Sequence, residues 1–399
     1  GPSKLKTVVR WGGLVAVVVL GFFFWAFGGA KHEGPGFVHL EPTPPDAVQQ
    51  KTAAMLAARP DGRDKMILFG DLHVHTTFSA DAFMMSLPLM GGEGAKPPAD
   101  ACDFARFCSQ LDFFALTDHA ESMTPEHWKE TRQSLRACQA VAGDEEPDVV
   151  AFAGFEWTQI GQTVDTHFGH KNVLFPDLED DNLPVRPIAA RGLLQRALNL
   201  REAGIPLSSL ASVPIRDFPR RERYVDLVRF LREVRGVKEC PQGVPVRDLP
   251  ADCREIAETP RDLFDKLDDW GFDSMVIPHG TTWGFYTPGG YVWDKQIAAK
   301  MDDPKRQTLI EVMSGHGNSE EYRPYRAITA EGTCPEPTED HEPCCWRAGE
   351  IIRSRCGDIP ADQCEARVVA ARANFLKMDI GGRRSIAGTQ QEDWGECGQ

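Results

Sequence analysis

The chain has 399 residues, 42% apolar and 26% charged, an ordinary balance for a globular protein with a sizeable core. Lys and Arg total 44 against 59 Asp and Glu, a net charge of −15. That balance excludes a nucleic-acid backbone as main partner, since phosphate neutralisation needs a basic face, but leaves room for a small anion held by cations.

The first segment that stands out runs from Trp11 to Ala30, apolar and uncharged, after Lys4, Lys6 and Arg10. Roughly 20 apolar residues are what a helix needs to cross a bilayer. Residues 1–10 then read as a cytoplasmic N-terminus and 11–30 as a single transmembrane anchor, with the body exported to the periplasm or cell exterior. The rival reading is a signal peptide cut after Gly28-Gly29-Ala30, which exports the body equally. Residues 31–63 follow as a linker with a short helix near Ala47–Ala58.

From residue 64 to 330, strand-like and helix-like stretches alternate, which implies parallel pairing and an α/β sheet or barrel. Strands are expected at Met66–Phe69, Phe113–Leu116, Val149–Phe155, Val173–Phe175, Ser274–Ile277 and Leu309–Met313. Helices are expected over Ala99–Gln110, after Thr124-Pro125 and after Thr259-Pro260, each Thr as cap and each Pro in the first turn. Residues 189–256 interrupt the alternation as a helical insertion, whose Tyr224, Leu227, Val228, Leu231 and Val234 form an apolar stripe. Its seven arginines from Arg216 to Arg235 make a local basic patch, read first as a solvated helix face.

Eleven cysteines fit an oxidising compartment, and the odd number leaves at least one without an intrachain partner. Cys240 and Cys253 bracket a short loop. Residues 331–399 form a Cys-rich segment, read as a disulfide-stapled region; a zinc site with His341 is the weaker alternative, because no CxxC pair supports it.

The chemistry lies in where histidines and acids fall. Expected strands run into Asp71-Leu72-His73-Val74-His75, Thr117-Asp118-His119, Glu156, Pro278-His279 and Gly315-His316, while Glu311 sits within the last strand. Side chains at the C-terminal ends of parallel barrel strands converge on one mouth. His73 and His75, two apart, share a face and suit one metal or neighbouring metals. Asp81, His167 and His170 add donors nearby in sequence. Nitrogen and carboxylate donors without cysteine suit zinc, manganese or iron. His32, His39, His127 and His341 read as structural. The aromatic, Gly-rich loop 280–293 reads equally as a wall of a substrate site or as a loop packing its own rings.

These motifs together resemble the polymerase-and-histidinol-phosphatase (PHP) superfamily. Gly154-Phe155-Glu156-Trp157-Thr158-Gln159, Gly169-His170-Lys171-Asn172-Val173 and Ser314-Gly315-His316-Gly317-Asn318 resemble its DUF3604 branch more closely. The resemblance implies a distorted (β/α)7 barrel of PHP type, with two or three divalent ions (Zn, Mn or Fe) that hydrolyse a small phosphate ester. By motif, His73, His75, Asp81, His119, Glu156, His170 and His279 would be metal ligands, Glu156 bridging two ions. His170 is preferred to His167 because it abuts a strand. Glu311 and His316 would lie at the rim, with Asp118 or His316 protonating the leaving group or orienting ligands. The chain departs from the pattern in having no Asp-x-His after His316, which suggests that the rest of the domain is missing through truncation or processing, with that remainder or other membrane-associated proteins as partners. Two alternatives remain: an amidohydrolase-like C–N or C–O hydrolase, and a non-catalytic metal-binding or assembly module tethered to the membrane.

Overall fold

The computed structural model describes residues 11–22, 31–57, 67–92, 94–143, 147–192, 212–213, 215–281, 283–284, 287–288, 291, 293–315, 317–319, 329 and 332–398. The fold is mixed α/β and built on a half-barrel sheet of five strands. These are β1 (Gly70–Val74), β2 (Phe113–Leu116), β3 (Val150–Gln159), β4 (Gly169–Phe175) and, after the two-stranded pair described below, β7 (Met275–His279), in the order β1-β2-β3-β4-β7. β2 pairs in parallel with both β1 and β3.

The closed seven-stranded barrel expected from the resemblance is therefore corrected to this open sheet. One physical reason is visible at Leu309–Met313, expected as a buried strand. Leu309, Ile310, Val312 and Met313 are half exposed or more, and only Met313–Ser314 has strand geometry. The opening strand also starts later than expected, at Gly70: Ile67, Leu68 and Phe69 are exposed, and Met66 lies outside the described residues.

The transmembrane anchor is a second correction. Residues 11–22 are helical, but among the described residues no helix is long and apolar enough to cross a membrane. Phe22 instead stacks on Phe218, ring centroids 6.1 Å apart. Residues 23–30, the rest of the expected span, lie outside the described residues. The membrane-anchored localisation that rested on this span falls with it. The disulfides described below remain compatible with an exported protein.

Contacts divide the chain into two compact units, Gly1–Thr158 with Lys171–Val276, and Gln159–His170 with Ile277–Gln399. In the first, the helix Pro125–Ala142 opens on a capping box between Thr124 and His127 and buries Trp128, Thr131, Leu135 and Cys138. That spacing places all four on one face. Trp128 packs edge-on against Phe155 of β3, and its indole N–H donates to the Pro184 carbonyl at 2.7 Å. The helix Pro260–Trp270 repeats the logic, with its own capping box at Thr259 and Leu263, Phe264, Leu267 and Trp270 buried.

Within residues 189–256, the helix Arg221–Gly236 buries Tyr224, Leu227, Phe230, Leu231 and Val234 against Ala80, Phe83 and Leu87. Val228, read as part of that stripe, is exposed instead. Two short strands, β5 (Ile188–Ala189) and β6 (Glu255–Ile256), pair in parallel at the foot of this region. Its arginines are partly neutralised locally: Arg220 pairs with Asp217, Arg221 with Glu222 and Arg229 with Asp226.

The second unit carries a small antiparallel sheet of β8 (Trp283–Gly284), β9 (Met313–Ser314) and β10 (Gly317–Asn318), ordered β8-β10-β9. Helices Cys344–Ser354 and Ala361–Lys377 enclose Ala348, Ile351, Ile386 and Trp394. The cysteines here form Cys334–Cys345, Cys344–Cys397 and Cys356–Cys364, while the first unit holds Cys102–Cys138 and Cys240–Cys253. The segment is stapled by disulfides, and the free thiol is Cys108 on the first unit's surface.

Candidate metal centre

The β1-β2-β3 ladder sets the positions of the donors. Leu116 pairs with Ala153, and beyond the strand end His119 and Glu156 form one more parallel bridge. The Ala120 N–H donates to the Glu156 carbonyl at 2.9 Å, and the Glu156 N–H to the Asp118 carbonyl at 3.1 Å. Glu156 is therefore held inside β3, not at its end, directly beside His119. On β1, the pairing steps from Asp71↔Phe114 to Val74↔Leu116, an irregularity around His73, and His75 follows just beyond the strand.

Two overlapping groups result, His73–His75–Glu156 and His75–Asp81–His119, each able to place its donor atoms within 4.8 Å of one another. Glu156 Oε2 lies 3.2 Å from His73 Nε2 and 3.0 Å from His75 Nε2. Asp81 Oδ2 lies 3.0 Å from His75 Nδ1 and 3.5 Å from His119 Nε2. Glu156 and His119 are buried, whereas His73, His75 and Asp81 keep side-chain exposures of 14, 10 and 23%, so the group opens to solvent on one side. Burial opposes a charge on His75, but Asp81 and Glu156 outweigh it and hold the imidazole protonated well above its usual range.

Residues that the motif reading did not single out support these donors. The Ser79 hydroxyl donates to Asp81 Oδ1 at 2.6 Å and accepts from the His119 backbone N–H at 3.1 Å. The Thr158 hydroxyl donates to Glu156 Oε1 at 2.8 Å and lies 2.9 Å from His119 Nδ1. Glu121 accepts from the backbone N–H of Thr158 and of Ala190, and burial raises its carboxyl to about 8. The signals were present in sequence: Ser79-x-Asp81, and Glu156-x-Thr158, whose period of two along β3 puts both side chains on one face.

Asp118 is fully buried and accepts from the Thr76 N–H at 2.5 Å and the Thr76 hydroxyl at 2.8 Å, and burial raises its carboxyl to about 6. Its place is that of a group orienting the turn after His75. In the second unit, His170 and His279 stack with ring centroids 5.2 Å apart, and His279 Nδ1 lies 3.8 Å from Glu311. His316 lies outside the described residues, as do six of the fourteen residues of the aromatic loop. The described Tyr291 is buried with its ring edge-on to His167 at 4.7 Å and its hydroxyl bonded to Gln296. Of the histidines read as structural, His32 bonds Asp226 and the Thr77 carbonyl, His127 caps its helix, His39 meets Phe107, and the His341 carbonyl accepts from Thr338.

Residues 62–146 match the family model described as "Protein of unknown function (DUF3604)". The matched stretch, less than half of the chain, contains His73, His75, Asp81 and His119; Glu156 follows it. No curated protein and no solved structure matches the chain.

Proposed function

We propose that the chain is a divalent-metal-dependent hydrolase of small phosphate esters, a PHP-type activity, with its primary metal centre on His73, His75, Asp81, His119 and Glu156. The observation that supports it best is the meeting of His73 and His75 on one oxygen of the buried Glu156, with His75 shared by a second group. Three imidazoles and two carboxylates within about bonding reach are a nitrogen–oxygen set suited to zinc, manganese or iron. Their chemistry fits a cation: the buried Glu156 carboxylate facing imidazole nitrogens is costly unless a positive charge neutralises it.

When bound, the ion would supply a Lewis acid for phosphoryl oxygens and would acidify a water molecule. The chain's own part is to fix the donors and to leave one side open. His119 and Glu156 close the inner side, and the partly exposed His73, His75 and Asp81 line the side from which an anionic substrate arrives. The family resemblance supports phosphate esters over carboxylic esters and amides.

The test is elemental analysis of the purified chain followed by turnover of aryl phosphate, aryl ester and anilide substrates. Bound zinc, manganese or iron, with aryl phosphate hydrolysis lost in His73→Ala, is expected. A folded chain that binds none of these metals, or a His73→Ala variant with full activity, would refute the reading. Turnover of esters or amides alone would reassign the bond cleaved.

A further inference from the structure

We infer that Thr158 is a positioning residue that fixes which nitrogen of His119 carries the proton, and so which nitrogen is offered to a cation. The inference deepens the metal-centre reading and rests on it only where metal affinity is concerned. A carboxylate only accepts hydrogen bonds, so the Thr158 hydroxyl proton is committed to Glu156 Oε1 at 2.8 Å. The same oxygen, 2.9 Å from His119 Nδ1, can then only accept, which requires a proton on Nδ1.

Glu156 Oε2, 3.5 Å from that nitrogen, is an acceptor as well, and Glu121 Oε2 at 3.8 Å lies beyond hydrogen-bond reach. On the far side of the ring, Nε2 faces Asp81 Oδ2 at 3.5 Å, beyond good hydrogen-bond range. The short contact therefore decides the tautomer: Nδ1–H toward Thr158, with the Nε2 lone pair facing the Asp81 side. One hydroxyl thereby couples two donors, orienting the His119 ring and the Glu156 carboxylate together. Thr158 is itself held by its backbone N–H, which donates 3.0 Å to Glu121 Oε1. Outer partners of this kind set ligand basicity and orientation, and their loss typically weakens metal binding about 10–100-fold.

The experiment has two readouts on the full chain. Long-range proton–nitrogen correlation of 15N-histidine-labelled, metal-free protein at mildly alkaline pH reads the tautomer directly, with His119 assigned by the signal lost in His119→Asn. The Nδ1–H form is expected in the unaltered chain and in Thr158→Ser, with a shift toward Nε2–H in Thr158→Val. An Nε2–H tautomer in the unaltered chain, or no change in Thr158→Val, would overturn the inference. Should Thr158→Val fail to fold, the unaltered chain and Thr158→Ser still decide it. Calorimetric titration with manganese alone is the second readout, with affinity about 10–100-fold weaker in Thr158→Val and recovered in Thr158→Ser. Equal affinity in all three overturns the inference. Failure of the unaltered chain to bind manganese, zinc and iron alike would sink the metal-centre reading, while the tautomer is still judged on the metal-free signal.

Discussion

His119 and Glu156 are neighbours through their backbones before they are neighbours through their side chains. The bridge between them prolongs the β2–β3 ladder past Leu116, so the imidazole and the carboxylate inherit their spacing from sheet register. A one-residue slip of β3 would turn Glu156 to the opposite face and bring Trp157 in its place.

Glu156→Gln keeps the shape of that side chain and removes its charge. Manganese or zinc affinity should fall by more than about 100-fold, since a ligand matters at least as much as its outer partners. Calorimetry on the folded variant checks this, and affinity within a few-fold of the unaltered chain would remove Glu156 from the centre.

Gly154, two residues earlier on β3, has no room for a side chain. A Cβ there would stand 2.6 Å from the Val173 carbonyl oxygen and 2.7 Å from Leu174 Cδ2. Gly154→Ala should cost about 1–3 kcal/mol by overpacking. A urea midpoint equal to that of the unaltered chain would show that β4 yields without strain.

His32 ties the segment after residue 30 to the insertion helix. Its Nδ1 lies 2.7 Å from Asp226, its Nε2 2.8 Å from the Thr77 carbonyl, and its backbone N–H donates to Glu233. Burial opposes its charge, but Asp226, the Thr77 carbonyl and Glu233 outweigh that and raise its pKa above the usual value. A histidine with a raised folded pKa contributes stability in full below its unfolded value of about 6.5, and loses it as pH rises through the folded value. His127 opposes this: burial lowers its pKa against the pull of Glu233, so its share is present above about 6.5 and lost as pH falls through its folded value. In chelator-treated protein, His32→Gln should destabilise by about 1.5–3 kcal/mol on the acid side and by less at alkaline pH. Thermal melts across pH test it, and a penalty that grows with pH would contradict the assignment.

The cysteines predict a simple chemical result. The native, unreduced chain should take up one alkyl group, on Cys108, by intact-mass analysis. Replacing Cys102 and Cys138 together by Ala should cost about 2–4 kcal/mol, because the bond closes a loop between residues 36 apart in sequence. Alkylation of any other cysteine in the folded chain would revise the pairing.

Much of the local structure was legible in the sequence, for identifiable reasons. The Thr-Pro starts at Thr124 and Thr259 became capping boxes, since a cap is chemistry within four residues. Phe113–Leu116 is the strand expected from its apolar run. Leu309–Met313 misled because an apolar run reports a capacity for burial, whereas only Met313 joins a strand pair, in the small sheet, and Leu309, Ile310 and Val312 stay half exposed. Trp11–Ala30 misled in a similar way, as composition matched a membrane span that the described helix does not provide.

By itself the sequence determined the kinds of donor, the His73-x-His75 spacing that shares a face, the capped helices and the odd cysteine count, all of them local chemistry. Only the tertiary structure decided the rest. The five-stranded sheet replaced the barrel, because closure depends on pairing between distant segments. The cysteine partners emerged from distances no spacing encodes. Parallel register carried Glu156 beside His119, and with it Thr158, whose hydroxyl matters only because a residue 39 positions away faces it.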